Sequence, residues 1–318
     1  MADEIPLGAA KMLPAPPAGW FEYGYALLWN GDLALVRCSR DIRAEYGRWQ
    51  DEQQKGSVHA PPTPEGERLR LSTFDGSLEA GAIEVPSGRW PKVDRLADGR
   101  WLVASTQANP DNARLYAADG TPAGTFAIGD GILHIRCAPD GTIWVGYFDE
   151  GVYAGANEDG SWPISSSGVA HLGSDGSVLW RFNDESRAGL YVDDCYALPL
   201  DGNTLWCCPY TDFPIVRVED GAVRHWRNEV TGAAALAVDG EYVLLAGGSR
   251  SNAGRIALLQ LGNDAADKIG EWQFRPPERG GARLLQGQGA TLHMVGQGSW
   301  TKLSVSTLRA ALKAASSG

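Results

Sequence analysis

An all-β fold built from repeated antiparallel hairpins is the class this sequence predicts, and three observations carry the prediction. The dipeptide Asp-Gly occurs ten times, at 75, 98, 119, 130, 140, 159, 175, 201, 220 and 239, mostly between short runs of Val, Ile, Leu, Trp and Tyr. Such a pair takes the positive φ angles of a two-residue turn whose twist matches the strands it joins, so each one reads as a hairpin. The hairpins fall into two alternating types, and equivalent turns such as Asp98 and Asp140 lie 42 residues apart, the length of a four-stranded propeller blade. Finally, 40 Gly and 12 Trp with 43% hydrophobic residues suit a large core of short strands and tight turns.

The first hairpin type has an apolar strand, a turn, and a strand ending in small residues. It runs from Tyr25 to Arg37, Val93 to Ser105, His134 to Gly146, Cys195 to Cys208, Ala234 to Gly247 and Ala282 to Val295. These are expected to be the inner halves of six blades. The second type closes on an aromatic or apolar residue and follows the first: Leu69 to Val85, Ala113 to Phe126, Ala170 to Trp180, Ile215 to Trp226 and Ile256 to Phe274. The sixth unit is one strand short. After Thr301 to Ser306 the chain turns helix-like, and residues 307–318 read as a short C-terminal helix and tail. The missing strand is expected from the N-terminal segment Ile5 to Leu13, which would close the ring and remove an exposed sheet edge. The chain thus reads as a single six-bladed β-propeller over residues 1–318, closed by an N-terminal strand.

The run Asp140-Gly141-Thr142-Ile143-Trp144-Val145-Gly146 resembles the blade motif of the periplasmic sensor propellers of two-component kinases. The six-unit count resembles the NHL, strictosidine synthase and SMP-30 lactonase propellers. The matched residues are turn and core positions, so the resemblance implies a fold and carries over no catalytic residue.

Composition narrows the partners. With 28 Lys plus Arg against 39 Asp plus Glu, the net charge of -11 repels phosphate backbones, and nucleic acid is not an expected partner. No apolar run approaches the length of a membrane span, and the acidic start Met1-Ala2-Asp3-Glu4 is unlike a signal peptide, which points to a cytoplasmic protein with no membrane partner. The five cysteines, Cys38, Cys137, Cys195, Cys207 and Cys208, are odd in number and mostly in apolar settings, as expected of reduced, buried thiols.

Function is expected on the face opposite the regular Asp-Gly turns, where the long loops of a rigid scaffold gather. An insertion from Ser39 to Gly66 in the first blade begins with a charged stretch and ends after Pro61-Pro62-Thr63-Pro64. As a short helix with a stiff return it would be a lid bringing Arg43, Tyr46 and Trp49 over the channel mouth; the alternative is an inert surface insertion. At the same rim the sequence places Asp149, Glu150, Tyr153, Asp193, Asp194 and Asp212, with Asp130 and His134 from the next loop. Such acids hold Ca²⁺ or another divalent cation, through Glu150 and Asp194 above all, or raise a carboxyl pKa for acid/base work, or simply cap turns. Near the upper ends of the inner strands come Tyr25, Asp94, Arg136, Asp194, Tyr196 and Arg283, with Trp49 and Trp300 expected in upper loops. There is no Gly-x-Ser-x-Gly elbow, His-Glu-x-x-His, phosphate-binding Gly-rich loop or paired Cys-x-x-Cys. The reading is a binding propeller that holds a small molecule or protein segment at the channel mouth. The alternative is a divalent-cation-dependent hydrolase or lactonase with a carboxylate-lined centre.

Overall fold

Hairpin turns written into the sequence become the joints of six four-stranded antiparallel sheets. The structure is a computed structural model that describes residues 7–56, 59–106, 111–186, 189–248, 254–274, 284–296 and 298–316. A short strand β1 (Lys11–Met12) precedes the first blade, which comprises β2 (Phe21–Leu27), β3 (Leu33–Cys38), β4 (Arg68–Phe74) and β5 (Glu79–Pro86). Helix α1 (Ile42–Gln54) lies between β3 and β4. Blade two is β6 (Pro91–Arg95), β7 (Trp101–Ser105), β8 (Ala113–Tyr116) and β9 (Pro122–Phe126). Blade three is β10 (Ile132–Cys137), β11 (Ile143–Tyr147), β12 (Val169–Leu172) and β13 (Val178–Arg181), with α2 (Asp149–Val152) after its second strand.

The fourth blade is less regular. After α3 (Phe182–Glu185), its inner hairpin is broken into β14 (Asp194–Cys195), β15 (Leu200–Asp201), β16 (Thr204–Cys207) and β17 (Pro209–Tyr210). β14 pairs only with β17, while β15 and β16 join β18 (Ile215–Glu219) and β19 (Ala222–Trp226). Blade five is β20 (Ala235–Asp239), β21 (Tyr242–Ala246), β22 (Arg255–Leu261) and β23 (Ala266–Gln273). Blade six is β24 (Leu284–Gln288), β25 (Thr291–Gly296) and β26 (Ser299–Ser304), followed by α4 (Val305–Ser316). Its fourth strand is β1, with Lys11 opposite Trp300 and Met12 opposite Ser299. The ring is therefore closed by an N-terminal strand, as expected.

Apolar faces of neighbouring blades pack on one another, so the core is a ring of clusters between blades. One joins Leu102, Leu115 and Ile128 of the second blade to Ile135, Val145 and Leu172 of the third. All five cysteines are buried and unbridged. Cys207 packs between blades three and four and Cys208 between four and five, the opposite faces that alternation along a strand dictates.

Trp300 corrects an expectation. It lies on a strand, not in an upper loop, and is only 1% exposed. It packs with Leu33, Leu35 and Phe74 of the first blade, and its indole N–H donates to His293 Nδ1 at 3.2 Å. The reason is the closing pair: Trp300 stands opposite Lys11 inside a sheet and faces the next blade.

Blades four, five and six are drawn together along the axis. The Val238 N–H donates to the Gly289 carbonyl at 2.7 Å, and the Gly289 N–H donates to the Leu200 carbonyl at 2.9 Å. Gly287 permits the approach: a Cβ there would lie 1.5 Å from the Leu236 carbonyl oxygen. Gly287→Ala must push β24 off β20 and is expected to cost about 2–3 kcal/mol. A chemical denaturation midpoint unchanged by that substitution would refute the contact.

Candidate functional site

With blades four to six closed up, the open part of the channel mouth lies toward blades six, one, two and three. There a cavity of about 900 Å³ is bounded by the upper ends of β2, β6, β10 and β24 and roofed by α1. The helix starts where Asp41 caps it, its Oδ1 accepting from the Ala44 N–H at 3.0 Å. Arg43, Tyr46, Gly47 and Gln50 of α1 reach the cavity. Trp49 does not line it. Its ring packs on Tyr46 with centroids 5.1 Å apart, and its indole N–H donates to the His59 carbonyl at 2.7 Å, so it ties the helix to its own return segment. The expected helix is present, and two of its three predicted residues face inward.

Along the channel, charge is arranged by the inner strands. Lys92 and Asp94 come from β6, His134 and Arg136 from β10. Asp94 is buried behind the lining: one carboxylate oxygen accepts from the Arg95 N–H at 2.7 Å, the other from the Cys137 N–H of the next blade at 2.9 Å. Burial pushes its pKa up to about 7, against the pull of the Arg136 charge and the two N–H groups. His134 Nε2 lies 3.2 Å from the Tyr196 carbonyl, which can only accept, so this nitrogen carries the proton. Burial, followed by the charges of Arg136 and Lys92, lowers the His134 pKa to about 3 and keeps the ring neutral. Burial likewise lowers the pKa values of Lys92 and Arg136.

The predicted acids form a separate group at the rim between blades three and four. Asp149 and Glu150 open α2 and are exposed. Asp194 is half-buried, and burial followed by the charges of Asp149 and Glu150 raises its pKa to about 6. Asp193 accepts hydrogen bonds from Tyr153 Oη and from Thr211 Oγ1, the latter at 2.9 Å. Tyr196 packs edge-on against Phe213 with centroids 5.2 Å apart, and Asp212 is exposed on the neighbouring loop. Among the described residues, no three His, Cys, Asp or Glu side chains gather in an arrangement that could hold a metal ion. Arg283 lies outside the described residues.

The predicted residues thus divide. His134 lines the cavity, Asp94 supports its wall, and Asp149, Glu150, Tyr153, Asp194, Tyr196 and Asp212 sit beside it on the rim. Sequence reading missed Lys92, Tyr23, Trp90, Phe148 and Gln286, all of which line the cavity. The blade period held a signal for Lys92, which stands 42 residues before His134, just as Asp94 stands 42 before Arg136.

These features define a class: a six-bladed β-propeller with a helix-roofed cavity at one end of its channel. No protein-family model matches the sequence, and no curated protein matches it. Solved structures align with it at low identity. A structure of the complex of KlAtg21 with the coiled coil of AgAtg16 aligns at 11% identity and a TM-score of 0.50, over 87% of this chain and 78% of that one. The Cps50 (Swd1) propeller domain of Myceliophteria thermophila aligns at 11% identity and a TM-score of 0.48, over 93% and 99% of the two chains. A propeller domain of the Trilobed protease from Pyrococcus furiosus aligns at 10% identity and a TM-score of 0.44, over 87% and 80%. Identities this low speak to the fold alone. Among the described residues, no helix is long and apolar enough to cross a membrane.

Proposed function

We propose that the protein is a binding propeller that holds a small molecule in the channel-mouth cavity beneath α1. The observation that carries this is the cavity itself: about 900 Å³ of space, with aromatic walls, a few inward polar groups and a helical roof. Ligand sites are typically concave, mostly apolar and of this size. The roof supports the reading. Tyr46 meets Trp90 edge-on with centroids 6.3 Å apart, joining α1 to the start of blade two across the mouth.

The test is a thermal-shift screen of chemically diverse small molecules on the intact protein and on a variant with residues 41–64 replaced by a short Gly/Ser linker. Hits that raise the melting temperature of the intact protein and lose most of that shift in the variant are expected. A hydrolase that uses the acidic rim would behave differently: Ca²⁺ or Zn²⁺ would raise the melting temperature, and Glu150→Gln or Asp194→Asn would abolish the rise. A screen without hits, together with that metal response, would overturn the proposal in favour of the cation-dependent reading.

A further inference from the structure

The charge of the cavity opposes the charge of the protein. The whole chain carries -11, yet the lining contains Arg43, Lys92 and Arg136, together with His134, and among the described residues no aspartate or glutamate. Arg43 on the roof lies 3.9 Å from Glu22, so part of its charge is already answered. Lys92 and Arg136 are in a different position. They come from adjacent inner strands, and the charge of Arg136 adds to burial in lowering the Lys92 pKa. Two cations this near one another in a half-buried wall repel unless a counter-charge meets them.

Asp94, whose charge acts on Arg136, fills that role only in part. Both its oxygens are committed to backbone N–H groups, and burial pushes it toward the neutral form near pH 7. Hydrogen-bonding capacity is also left over. Among the described residues the Lys92 ammonium has no ion pair or hydrogen bond; Arg136 Nη1 reaches only the Ile135 carbonyl at 2.5 Å, and its buried Nε has no partner. Around these groups the walls are Tyr23, Trp90, Leu133 and Phe148.

We infer that the ligand of this cavity is a small organic anion, with a carboxylate or phosphate head between Lys92 and Arg136 and an apolar or aromatic body along the wall. The inference rests on the binding function proposed above and adds the ligand's chemical class. The head supplies the charge that two adjacent cations lack, and its oxygens accept from the Lys92 ammonium and the Arg136 guanidinium. The body replaces water against aromatic side chains. A bare inorganic anion would satisfy only the head, and an uncharged aromatic only the walls.

The experiment is isothermal titration of the intact protein with four probes of similar size: phenylacetate, phenyl phosphate, benzyl alcohol and benzylamine. At least one of the two anions is expected to bind at least tenfold more tightly than benzyl alcohol, with benzylamine the weakest. Whichever anion leads identifies the head as carboxylate or phosphate. Lys92→Met is expected to weaken anion binding at least tenfold while leaving the melting temperature of the unliganded protein unchanged or higher, because a buried charge has been removed. Arg136→Gln, which keeps donors but no charge, provides a second reading should Lys92→Met repack the wall, with the same loss of affinity expected. If benzyl alcohol binds as tightly as the anions and neither substitution matters, the anionic class is wrong and the binding cavity stands. If none of the four binds and the broader screen also yields nothing, the proposed function falls with it.

Discussion

Removal of residues 1–15 is expected to unfold the ring and not merely to trim it. The closing strand β1 is only Lys11–Met12, but the segment around it is fastened at several points. Gly8 donates to the Lys302 carbonyl at 3.0 Å, Leu13 to the Gly298 carbonyl at 2.8 Å, and Arg37 Nη2 of the first blade to the Pro14 carbonyl at 3.2 Å. The stem of Lys11 lies beside the Trp300 ring where Gly76 approaches both. Deletion uncovers part of that indole, on the order of 100 Å² and about 2.5 kcal/mol. Three lost hydrogen bonds add about 1 kcal/mol each. The sum of about 5.5 kcal/mol is comparable to the whole stability of many domains. The truncation also leaves β26 as a bare sheet edge, which favours aggregation. Circular dichroism melts and sedimentation of the truncated chain will decide the matter: a cooperative melt at the parent temperature from a monodisperse sample would show that the ring closes without β1.

How much of this was legible in the sequence follows from the range of the forces involved. Turn chemistry is local, so Asp-Gly pairs announced the hairpins, and their flanking residues separated inner from outer strands. The closing strand was readable only as a deficit, because two exposed residues carry no pattern of their own; what revealed it was a sixth unit lacking a strand. Trp300 was misplaced for a related reason. In a blade whose fourth strand comes from the other end of the chain, nothing nearby in sequence shows that position 300 is covered.

The cavity lies further from sequence. Its position depends on which blades close up on the axis, and that is decided by contacts such as Gly287 against Leu236 between residues about fifty positions apart. Acids drew attention because they cluster in rim loops, yet the structure puts them beside the cavity. Lys92, Gln286 and Tyr23 on inner strands looked like ordinary strand residues. Only the ring brings Lys92 and Arg136 together and gives their charges meaning.

Glu79→Ala is expected to be the most damaging single substitution of a charged residue in the first blade. Arg37 is 2% exposed and makes a bidentate contact with Glu79, Nη1 to Oε1 and Nη2 to Oε2, the second at 3.0 Å. Ser72 Oγ donates to the same carboxylate at 2.6 Å. Removing the acid strands a buried guanidinium whose only remaining acceptor in this group is the Pro14 carbonyl, and losses of this kind run to about 3–5 kcal/mol. Arg37→Met should cost less, because Glu79 is 21% exposed and regains water. The pH dependence has a definite sign. Burial raises the Glu79 pKa, but the hydrogen bonds from Arg37 and Ser72, with the guanidinium charge, outweigh it and hold the carboxyl below its ordinary value. Its stabilisation is therefore complete above the pKa of the unfolded glutamate, about 4.3, and is lost as the pH falls through the lower folded value. Urea midpoints at pH 7 and pH 3 should show the gap between Glu79→Ala and the parent narrowing toward low pH. Because Arg37 also holds Pro14, the cost of Arg37→Met should shrink in the 1–15 truncation if enough folded protein survives to measure. Equal gaps at both pH values would mean that the ion pair contributes nothing and that Arg37 acts through packing alone.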